Sequence, residues 1–568
     1  MKHRLLLTPL LATVLSTAAL AQTVGGDFAV FQEWKGNDEH IHFGSVVANA
    51  GDVNADGHDD VIVGAPDSQG GGKDGSGTAY VYSGKSGEVL YLWHGLKSFD
   101  HFGYAVCGAG DLDHDGHSEV MVGSRDADFQ GLSASGAVYV YSGESGSLMF
   151  ILGGENGGDH FGSAASFTGD VNQDGFDDIL VGAPGHDSFA YSDNGAAYLY
   201  SGSDGSLIWQ RTGIGDYSGY GAVVGSLGDT NFDGIPDVMV AAPYADPGGL
   251  TNAGSVYVYS GGSGWLLRTW NGHYSDDAFG KSISDAGDIN QDGASDVIIG
   301  APDEDARGIA DCGSFTVYSG ADGSQMLRRF GDGVIRHFGK SVAGAGDLNN
   351  DGYADLFLGA SHTSVYGNIA PGAAYLHSGK DGTLMKKWDG AENLDGFGAS
   401  VAGGCDVNGD GLGDLLVGAP QQSNLGNLEA GRVQACGFSP FLNSTAETIS
   451  ASSTSILGLE LRFPPEAANY EYRILISSTG VGPVHYNIDI PLTLDDMVMQ
   501  SYFGNYFFPI HSGMHGTLNA NAEASASIGV AAGSANYLVG HTFWLAAVSN
   551  STGLLPEFSS VAVAITID

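Results

Sequence analysis

Short acidic loops recur along the chain at one fixed spacing. Their first aspartates follow one another every 59 residues, at Asp52, Asp111, Asp170, Asp229, Asp288, Asp347 and Asp406. Each loop reads D-x-[DN]-x-D-G-x-x-[DE], counted here as positions 1 to 9. Ca²⁺ takes six to eight oxygen ligands, which a tight loop can supply from several side chains and one backbone carbonyl. The pattern therefore predicts up to seven Ca²⁺ sites, one in each repeat.

The remaining candidate ligands occupy four further positions of each loop. Position 3 is Asn54, Asp113, Asn172, Asn231, Asn290, Asn349 or Asn408, and position 5 is Asp56, Asp115, Asp174, Asp233, Asp292, Asp351 or Asp410. Position 7 is expected to offer its backbone carbonyl, from His58, His117, Phe176, Ile235, Ala294, Tyr353 or Leu412. Position 9 is Asp60, Glu119, Asp178, Asp237, Asp296, Asp355 or Asp414. Glycine at position 6 permits the sharp turn.

Two other interpretations of the loops compete with a repeated calcium site. An EF-hand needs a glutamate at position 12 and a helix on each side, but position 12 here is apolar in all seven copies and lies in strand-like sequence. An Asx turn without metal explains one loop, but not four ligand positions kept in seven copies. The second loop, with Glu119, and the fourth, with Pro236, depart most from the common pattern.

Each repeat contains four short runs rich in Val, Ile and Tyr, separated by glycine and aspartate turns. An aromatic-Gly pair precedes the acidic loop, and Gly-Ala-Pro or a variant follows it, as in Phe43-Gly44 and Gly64-Ala65-Pro66. For the first repeat the pattern predicts strands A to D at about 43–50, 60–65, 77–83 and 88–94. Such a unit cannot bury both faces alone, so seven stacked units predict an all-β, seven-bladed β-propeller.

The ends of the repeat array indicate how the ring closes. The seventh repeat has candidate A, B and C strands at 398–405, 414–419 and 430–436, but no D strand follows. A matching strand precedes the first repeat at 28–34, and Trp34 stands 59 residues before Trp93. We therefore expect the N-terminal strand to complete the last blade, which removes open sheet edges.

The segments outside the array have different patterns. Residues 1–21 have a basic start, an apolar stretch and a small-residue cleavage site, which predict a signal peptide and a secreted protein, extracellular or at the cell surface. The propeller domain is expected at 22–437. Residues 438–568 lack acidic loops and predict a C-terminal β-sandwich of unknown role, with strands near 455–463, 472–477, 486–492, 542–548 and 561–567.

The combination of Phe-Gly, D-x-N-x-D-G and Gly-Ala-Pro resembles the FG-GAP repeat, which builds the propeller of integrin α chains. That resemblance covers about residues 27–437. It implies calcium loops between strands A and B on a lower face, although integrins carry calcium in only some blades. It also implies ligand binding by the D–A and B–C loops of an upper face. The matching B–C loops run at roughly 66–77, 125–136, 184–195, 243–254, 302–313, 361–372 and 420–431, and carry Asp67, Asp74, Arg125, Asp126, Phe129, His186, Tyr191, Tyr244 and Arg307.

Charge and motifs exclude several function classes. The net charge of -45 argues against a nucleic-acid partner, which requires a basic surface. No later apolar run is long enough to predict a membrane span. No recognised catalytic motif appears, so we expect an extracellular adhesion or ligand-binding module for a protein or glycan rather than an enzyme. A polysaccharide lyase or hydrolase with an upper-face site, and a structural cell-envelope component, remain the alternatives.

Two further residue sets admit more than one interpretation. His42, His101, His160 and His337 share one register before the aromatic-Gly pair, which suggests either a metal or catalytic ring or hydrogen bonding at each blade entry. Repeat symmetry places them on separate blades and favours the second. Cys405 and Cys436 lie in one repeat, where they either pair or remain buried free thiols.

Overall fold

The structure is a computed structural model that describes residues 26–440, apart from short gaps, and mainly strand segments from 442 to 567. The gaps before 440 are at 37, 39, 109, 307, 332–336, 350, 362, 366–367, 392–394 and 425–426. The signal-peptide prediction falls outside the described residues. Within them the fold is all-β, with two short 3-10 turns at Gly70–Gly72 and Pro247–Gly249. No helix in the described part is long and apolar enough to cross a membrane.

Seven four-stranded sheets form the blades of a propeller. The first strand is β1 (Gly26–Lys35), and blade 1 contains β2 (Val46–Gly51), β3 (Asp60–Ala65), β4 (Thr78–Tyr82) and β5 (Val89–His94). Blade 2 contains β6 (Phe102–Gly108), β7 (Val120–Ser124), β8 (Ala137–Tyr141) and β9 (Leu148–Gly153). Blade 3 contains β10 (Ala164–Phe167), β11 (Ile179–Ala183), β12 (Ala196–Tyr200) and β13 (Leu207–Thr212). Blade 4 contains β14 (Val223–Leu227), β15 (Asp237–Ala242), β16 (Ser255–Ser260) and β17 (Leu266–Asn271).

The last three blades follow the same plan with one addition. Blade 5 contains β18 (Ser282–Gly287), β19 (Asp296–Ala301), β20 (Ser314–Tyr318) and β21 (Gln325–Phe330). Blade 6 contains β22 (Ser341–Gly346), β23 (Asp355–Ala360), β26 (Ala373–His377) and β27 (Leu384–Asp389), with a hairpin of β24 (Thr363–Val365) and β25 (Asn368–Ala370) in its B–C loop. Blade 7 contains β28 (Ser400–Cys405), β29 (Asp414–Ala419) and β30 (Arg432–Pro440).

The antiparallel A-B-C-D blade predicted from the first repeat is confirmed. Strands β2, β3, β4 and β5 pair in that order, and their bounds differ from the prediction by at most three residues. Strand B is buried along its whole length, whereas strand D is mostly half-exposed or exposed. A continuous apolar run therefore suits the inside of the sheet, and the alternating D strand suits its outer edge.

The ring closes through the N-terminal strand, as the Trp34 register predicts. Strand β1 pairs antiparallel with β30, and Trp34 lies opposite Val433. The indole Nε1 of Trp34 donates to Gly87 O of blade 1 at 3.2 Å, just as Trp93 Nε1 donates to Gly146 O of blade 2 at 3.1 Å. Blade 7 thus has the same edge contact as an ordinary blade, although its D strand comes from the other end of the domain.

The hydrophobic core is divided among the seven interfaces between blades. Each buried cluster combines residues of two neighbouring blades, and the cluster between blades 7 and 1 includes Phe43, Val61 and Val433. At the upper edge of six of the seven interfaces, backbones approach so closely that glycine is required, whereas blade 4 has Ala241 at this position. A Cβ on Gly64 would lie 2.1 Å from Gly103 O of the next blade, and Gly103 itself has a φ of +87°. This contact explains why the Phe-Gly and Gly-Ala-Pro motifs recur together.

The described part of the C-terminal region contains two larger sheets and a two-stranded hairpin. The first is built from β31 (Leu442–Ser444), β33 (Ser455–Arg462), β37 (Ile510–Ser512) and β39 (Glu523–Val530). The second is built from β32 (Thr448–Ile449), β34 (Glu471–Ser477), β38 (His515–Thr517), β40 (Thr542–Asn550), β41 (Phe558–Ser559) and β42 (Val563–Ile567). The strand predicted at 486–492 differs: the described residues form a hairpin of β35 (Pro483–His485) and β36 (Asp489–Pro491) around the undescribed 486–488.

Candidate metal sites

The first aspartate of every acidic loop organises the loop backbone. Its two carboxylate oxygens accept hydrogen bonds from the N–H groups of positions 5 and 6 in all seven copies. In loop 1, Asp56 N lies 2.9 Å from Asp52 Oδ1, and Gly57 N lies 2.8 Å from Asp52 Oδ2. The position 5 carboxylate accepts from the N–H of position 7. These bonds draw the carboxylates of positions 1 and 5 to one side of each loop.

The carboxylate at position 9 closes each loop from strand B. Asp60 Oδ2 accepts from Val53 N at 2.9 Å, and its Oδ1 accepts from Gly84 N of the C–D turn at 3.0 Å. The corresponding side chains in the other loops are equally buried, with exposed fractions of 0 to 1%. A buried carboxylate next to other carboxylates is costly unless a cation or further donors compensate it.

Burial raises the pKa of every position 9 carboxyl. The pKa rises to about 7 for Asp60, where nearby Asp56 and Asp52 add to the effect. It rises to about 8 for Asp355 and to about 6 for Asp178, again chiefly because of burial. The same direction holds for Glu119, Asp237, Asp296 and Asp414. A bound divalent cation would favour the charged form, so these groups are suited to a metal.

Two observations test whether the loops fit Ca²⁺. Carboxylate oxygens of Asp111, Asp113 and Asp115 lie within 4.8 Å of one another. In loop 1 the amide oxygen of Asn54 is buried and has no hydrogen-bond partner, whereas the corresponding oxygen of Asn172 accepts from Asp174 N at 2.8 Å. Asp, Asn and carbonyl oxygens are the hard donors that Ca²⁺ prefers. The donor set therefore fits Ca²⁺, and in loop 1 the unpartnered amide oxygen of Asn54 is free to act as a ligand.

Position 2 joins each loop to the core of the next blade interface, a role the sequence analysis missed. Val53 is fully buried in the cluster between blades 1 and 2, and Val407 is fully buried in the cluster between blades 7 and 1. The same position is buried in the other loops, at Leu112, Val171, Thr230, Ile289 and Leu348. The recurrence of apolar residues here in six of the seven copies was the available signal. An ion held by positions 1 and 3 would therefore fix a side chain that packs between two blades.

On the upper face, the predicted histidines lie within hydrogen-bond distance of aspartate carboxylates at the blade entries. His42 Nδ1 lies 2.7 Å from Asp67 Oδ2, His101 Nδ1 lies 2.7 Å from Asp126 Oδ2, and His337 Nδ1 lies 2.9 Å from Asp303 Oδ1. The hydrogen-bonding interpretation is therefore confirmed.

The carboxylates also reach the histidines of neighbouring blades. His160 Nδ1 lies 2.8 Å from Asp126 Oδ1, and His101 Nε2 lies 3.9 Å from Asp67 Oδ1. Asp67 thereby links blades 1 and 2, and Asp126 links blades 2 and 3. The hydrogen bond from Asp67 raises the pKa of His42, while His160, Arg125 and His101 lower the pKa of Asp126 to about 2 against the effect of burial.

The other upper-face residues differ from blade to blade. Tyr191 and Tyr244 are 39% and 41% exposed, and Tyr217 is 66% exposed. His186 is buried against Asp159 and Tyr198, and Arg307 lies outside the described residues. A cavity of about 390 Å³ is lined by Tyr274, Ser275, Asp276, Asp277, Asp303, Asp305 and Asp311. Sequence reasoning did not single out Glu429, which lies 2.7 Å from His40 Nδ1.

All four cysteines are described and free. Cys405 on β28 and Cys436 on β30 are buried in blade 7, with β29 between them, and form no disulfide, so the unpaired alternative is confirmed. Burial raises the pKa of both thiols, to about 12 for Cys436, which suits an inert core role.

Comparison with known families identifies the repeat. The family model described as the FG-GAP repeat matches residues 43–82, 102–141, 161–200, 221–259, 338–376 and 397–435. These six ranges each span strands A to C of one blade. Blade 5 has the same fold and the same acidic loop outside the matched ranges.

The chain is similar to integrin α chains over part of their length. It is 30% identical to integrin alpha-V of Gallus gallus over 242 residues, which are 39% of this chain and 22% of that protein. It is 32% identical to integrin alpha-5 of Xenopus laevis over 219 residues, 36% of this chain and 20% of that protein. The chain thus matches about a fifth of these relatives. A solved structure of a europium-containing methanol dehydrogenase aligns with 66% of this chain and 80% of its own length. The sequence identity is 10% and the TM-score is 0.35, so the overall structural similarity is low.

Proposed function

Since the chain carries FG-GAP repeats in a seven-bladed propeller resembling that of integrin α chains, we propose that it is a secreted, calcium-stabilised binding module. Its ligand is an extracellular protein or glycan that contacts the upper face. The calcium loops of the lower face hold the blades together and take no part in ligand recognition.

The observation that carries the calcium assignment is the set of seven buried position 9 carboxylates. Each accepts backbone N–H hydrogen bonds, joined in loop 4 by the hydroxyl of Thr230, and at least one other carboxylate of its loop raises its pKa. Seven Ca²⁺ ions would bring 14 positive charges to a chain of net charge -45. The unpartnered amide oxygen of Asn54 supports the same assignment.

The upper face supports ligand binding because its exposed side chains are blade-specific. Tyr217 and Tyr274 are 66% and 63% exposed, and Tyr274 borders the acidic cavity. Exposed aromatic side chains beside carboxylates offer stacking surfaces and hydrogen-bond acceptors, which are used to bind sugars and proteins alike. Binding loops on a rigid scaffold are a common arrangement.

The test is a binding screen against glycan and extracellular-matrix protein arrays, with the protein in calcium and in EGTA. We expect a ligand that binds in calcium and is lost in EGTA as the propeller loosens. Tyr217→Ala should weaken that binding while changing the free energy of unfolding by less than about 0.5 kcal/mol. Turnover of a polysaccharide in the same assay would contradict the proposal in favour of an enzyme, and absence of any ligand would favour a structural component.

A further inference from the structure

The acidic loops of neighbouring blades lie in contact around the lower face. In the five successive pairs from loops 1 and 2 to loops 5 and 6, position 8 of one loop packs against the glycine that precedes position 1 of the loop before it. A Cβ on Gly51 would lie 2.5 Å from Ser118 Oγ, and one on Gly228 would lie 2.7 Å from Ser295 Oγ. The same approach joins Gly169 to Pro236 at 3.0 Å. Loops 1 to 6 therefore form a chain of contacts and are not isolated turns.

Between blades 7, 1 and 2 these contacts include backbone hydrogen bonds. Asp59 N donates to Asp406 O at 3.0 Å, and Ser118 N donates to Asp52 O at 3.0 Å. In both cases the donor stands directly before a position 9 carboxylate, and the acceptor belongs to a position 1 aspartate. Each bond thus connects a candidate ligand of one site with the residue directly before a candidate ligand of the next.

Histidine rings reinforce the same two junctions. His58 Nδ1 lies 3.2 Å from Val407 O, and His117 Nδ1 lies 2.8 Å from Val53 O. Val407 and Val53 occupy position 2 of the preceding loop. The residue between two candidate ligands of one loop is therefore held by position 7 of the next.

Asp59 binds loop 7 most extensively, although it is not itself a candidate ligand. Its Oδ2 accepts from Asp406 N at 3.0 Å, so Asp59 contacts both backbone groups of Asp406. The same oxygen accepts from Asn49 Nδ2 at 3.0 Å. Loop 7 differs from the other six in having Cys405 where they have glycine before position 1. The Asp59 carboxylate therefore joins loop 7 to loop 1 at the junction that closes the ring.

These contacts have a thermodynamic consequence if the loops bind calcium as proposed above. An ion at site 7 orders Asp406, which in turn orders Asp59 and the adjoining ligand Asp60. The second ion then binds a loop that is already ordered, so the loop loses less conformational entropy when that ion binds. We infer that sites 7, 1 and 2 bind calcium cooperatively, with Asp59 as the positioning residue between sites 7 and 1.

The experiment counts bound ions by native mass spectrometry of the full-length protein at limiting free calcium. Asp410→Ala removes a ligand of site 7, and the expected result is the loss of more than one ion, since affinity at site 1 falls by about 5-fold or more. Asp233→Ala removes the matching ligand of site 4 and should cost one ion. It is the matched control because position 8 of that loop is Pro236, which has no N–H to donate to the loop before it.

Asp59→Ala tests the positioning role directly. In saturating calcium this variant should keep the full count of ions. At limiting free calcium, adding Asp410→Ala to Asp59→Ala should remove only one further ion. Asp204→Ala, which removes an exposed charge from a lower-face C–D turn, controls for the loss of negative charge, and Asp410→Asn serves if Asp410→Ala fails to fold.

Loss of exactly one ion from both Asp410→Ala and Asp233→Ala would overturn the coupling while leaving calcium binding intact. A wild-type protein that binds no calcium would instead overturn the proposed function, and the inference with it.

Discussion

The lower and upper faces of the propeller each carry loops from all seven blades, but the lower-face loops repeat the same contacts while the upper-face loops differ from blade to blade. On the lower face, positions 1, 5, 6 and 7 make the same hydrogen bonds in all seven blades. On the upper face, the register of His42 and Asp67 in blade 1 is occupied by Gly219 and Tyr244 in blade 4. The repeated hydrogen bonds hold every acidic loop in one conformation, whereas the blade-specific residues of the upper face leave room for recognition.

On the lower face, candidate ligands and core residues are also direct neighbours in the chain, so a change in one affects the other. A position 2 side chain such as Val53 is buried between blades, and its neighbours Asp52 and Asn54 are candidate ligands. The upper-face aromatic residues, such as Tyr217, are largely exposed and take little part in the core. The comparison predicts that perturbing the lower face unfolds the ring, while perturbing the upper face changes binding.

The largest expected effect is the removal of all ions by EGTA. One site at a calcium concentration 100-fold above its Kd contributes about 2.7 kcal/mol to folding. Loss of several such sites should lower the Tm by about 10 °C or more, measured by differential scanning calorimetry, and excess calcium should restore it. Magnesium is the control, since it favours octahedral sites that keep several waters. An unchanged Tm in EGTA would refute the role given to the lower face.

The second effect concerns the closure of the ring. Trp34→Ala should destabilise the protein by about 3 to 5 kcal/mol because a buried aromatic side chain is lost, together with its hydrogen bond to Gly87 O. Urea unfolding followed by circular dichroism measures the change. Val30→Ala on the same strand is the control, since Val30 is 43% exposed. Equal effects of the two variants would show that β1 does not seal blade 7 in solution.

The third effect is expected to depend on the presence of calcium. Asp296→Asn removes one candidate ligand and should lower the free energy of unfolding by about 1 to 3 kcal/mol in saturating calcium. In EGTA at pH 8 the same variant should cost little, because burial raises the pKa of Asp296 to about 7 and the ion-free carboxylate is then an uncompensated buried charge. Chemical unfolding in both buffers gives the two values. A cost that is the same in both would mean that Asp296 serves the fold without a metal.

The smallest effect concerns the upper-face ion pairs. Asp67 raises the pKa of His42, so the stability from this pair is fully present below the unfolded histidine pKa and is lost as the pH rises through the folded pKa. His42→Gln should therefore cost less than about 1 kcal/mol, with more of that cost at pH 5.5 than at pH 8. Denaturation in saturating calcium at both pH values measures it, and Tyr217→Ala should give no such pH dependence. A cost that grows with pH would contradict the pairing.

Much of the fold follows from the repeat pattern, because the same residues recur at each structural position. The strand bounds of blade 1, the closure through Trp34 and the position of the acidic loops between strands A and B were all predictable. The hairpin β24–β25 in blade 6 and the partners of the upper-face histidines were not. These features occur once or in a few blades, so the other repeats offer no template for them.

For the candidate sites, sequence identified the ligands of each loop but not the contacts between loops. Asp59 is one acidic residue among many in the sequence, yet its carboxylate holds the backbone of Asp406, 347 residues away. Val53 resembles an ordinary loop residue until its burial between two blades is known. The apolar residues at position 2 recur, but the recurrence does not show what they pack against, and the role of Asp59 leaves no local pattern at all, because both roles depend on which blade lies next in the ring.

The sequence by itself determined the number of blades, the strand order within each blade and the donor set of each acidic loop, since these depend on local spacing and residue type. Tertiary structure alone decided that the loops touch one another, that position 2 packs into the next interface and that Asp67 and Asp126 bridge neighbouring blades. The physical reason is that contacts between blades are set by the curvature and closure of the whole ring. A repeat specifies its own blade, but its neighbours determine what its side chains meet.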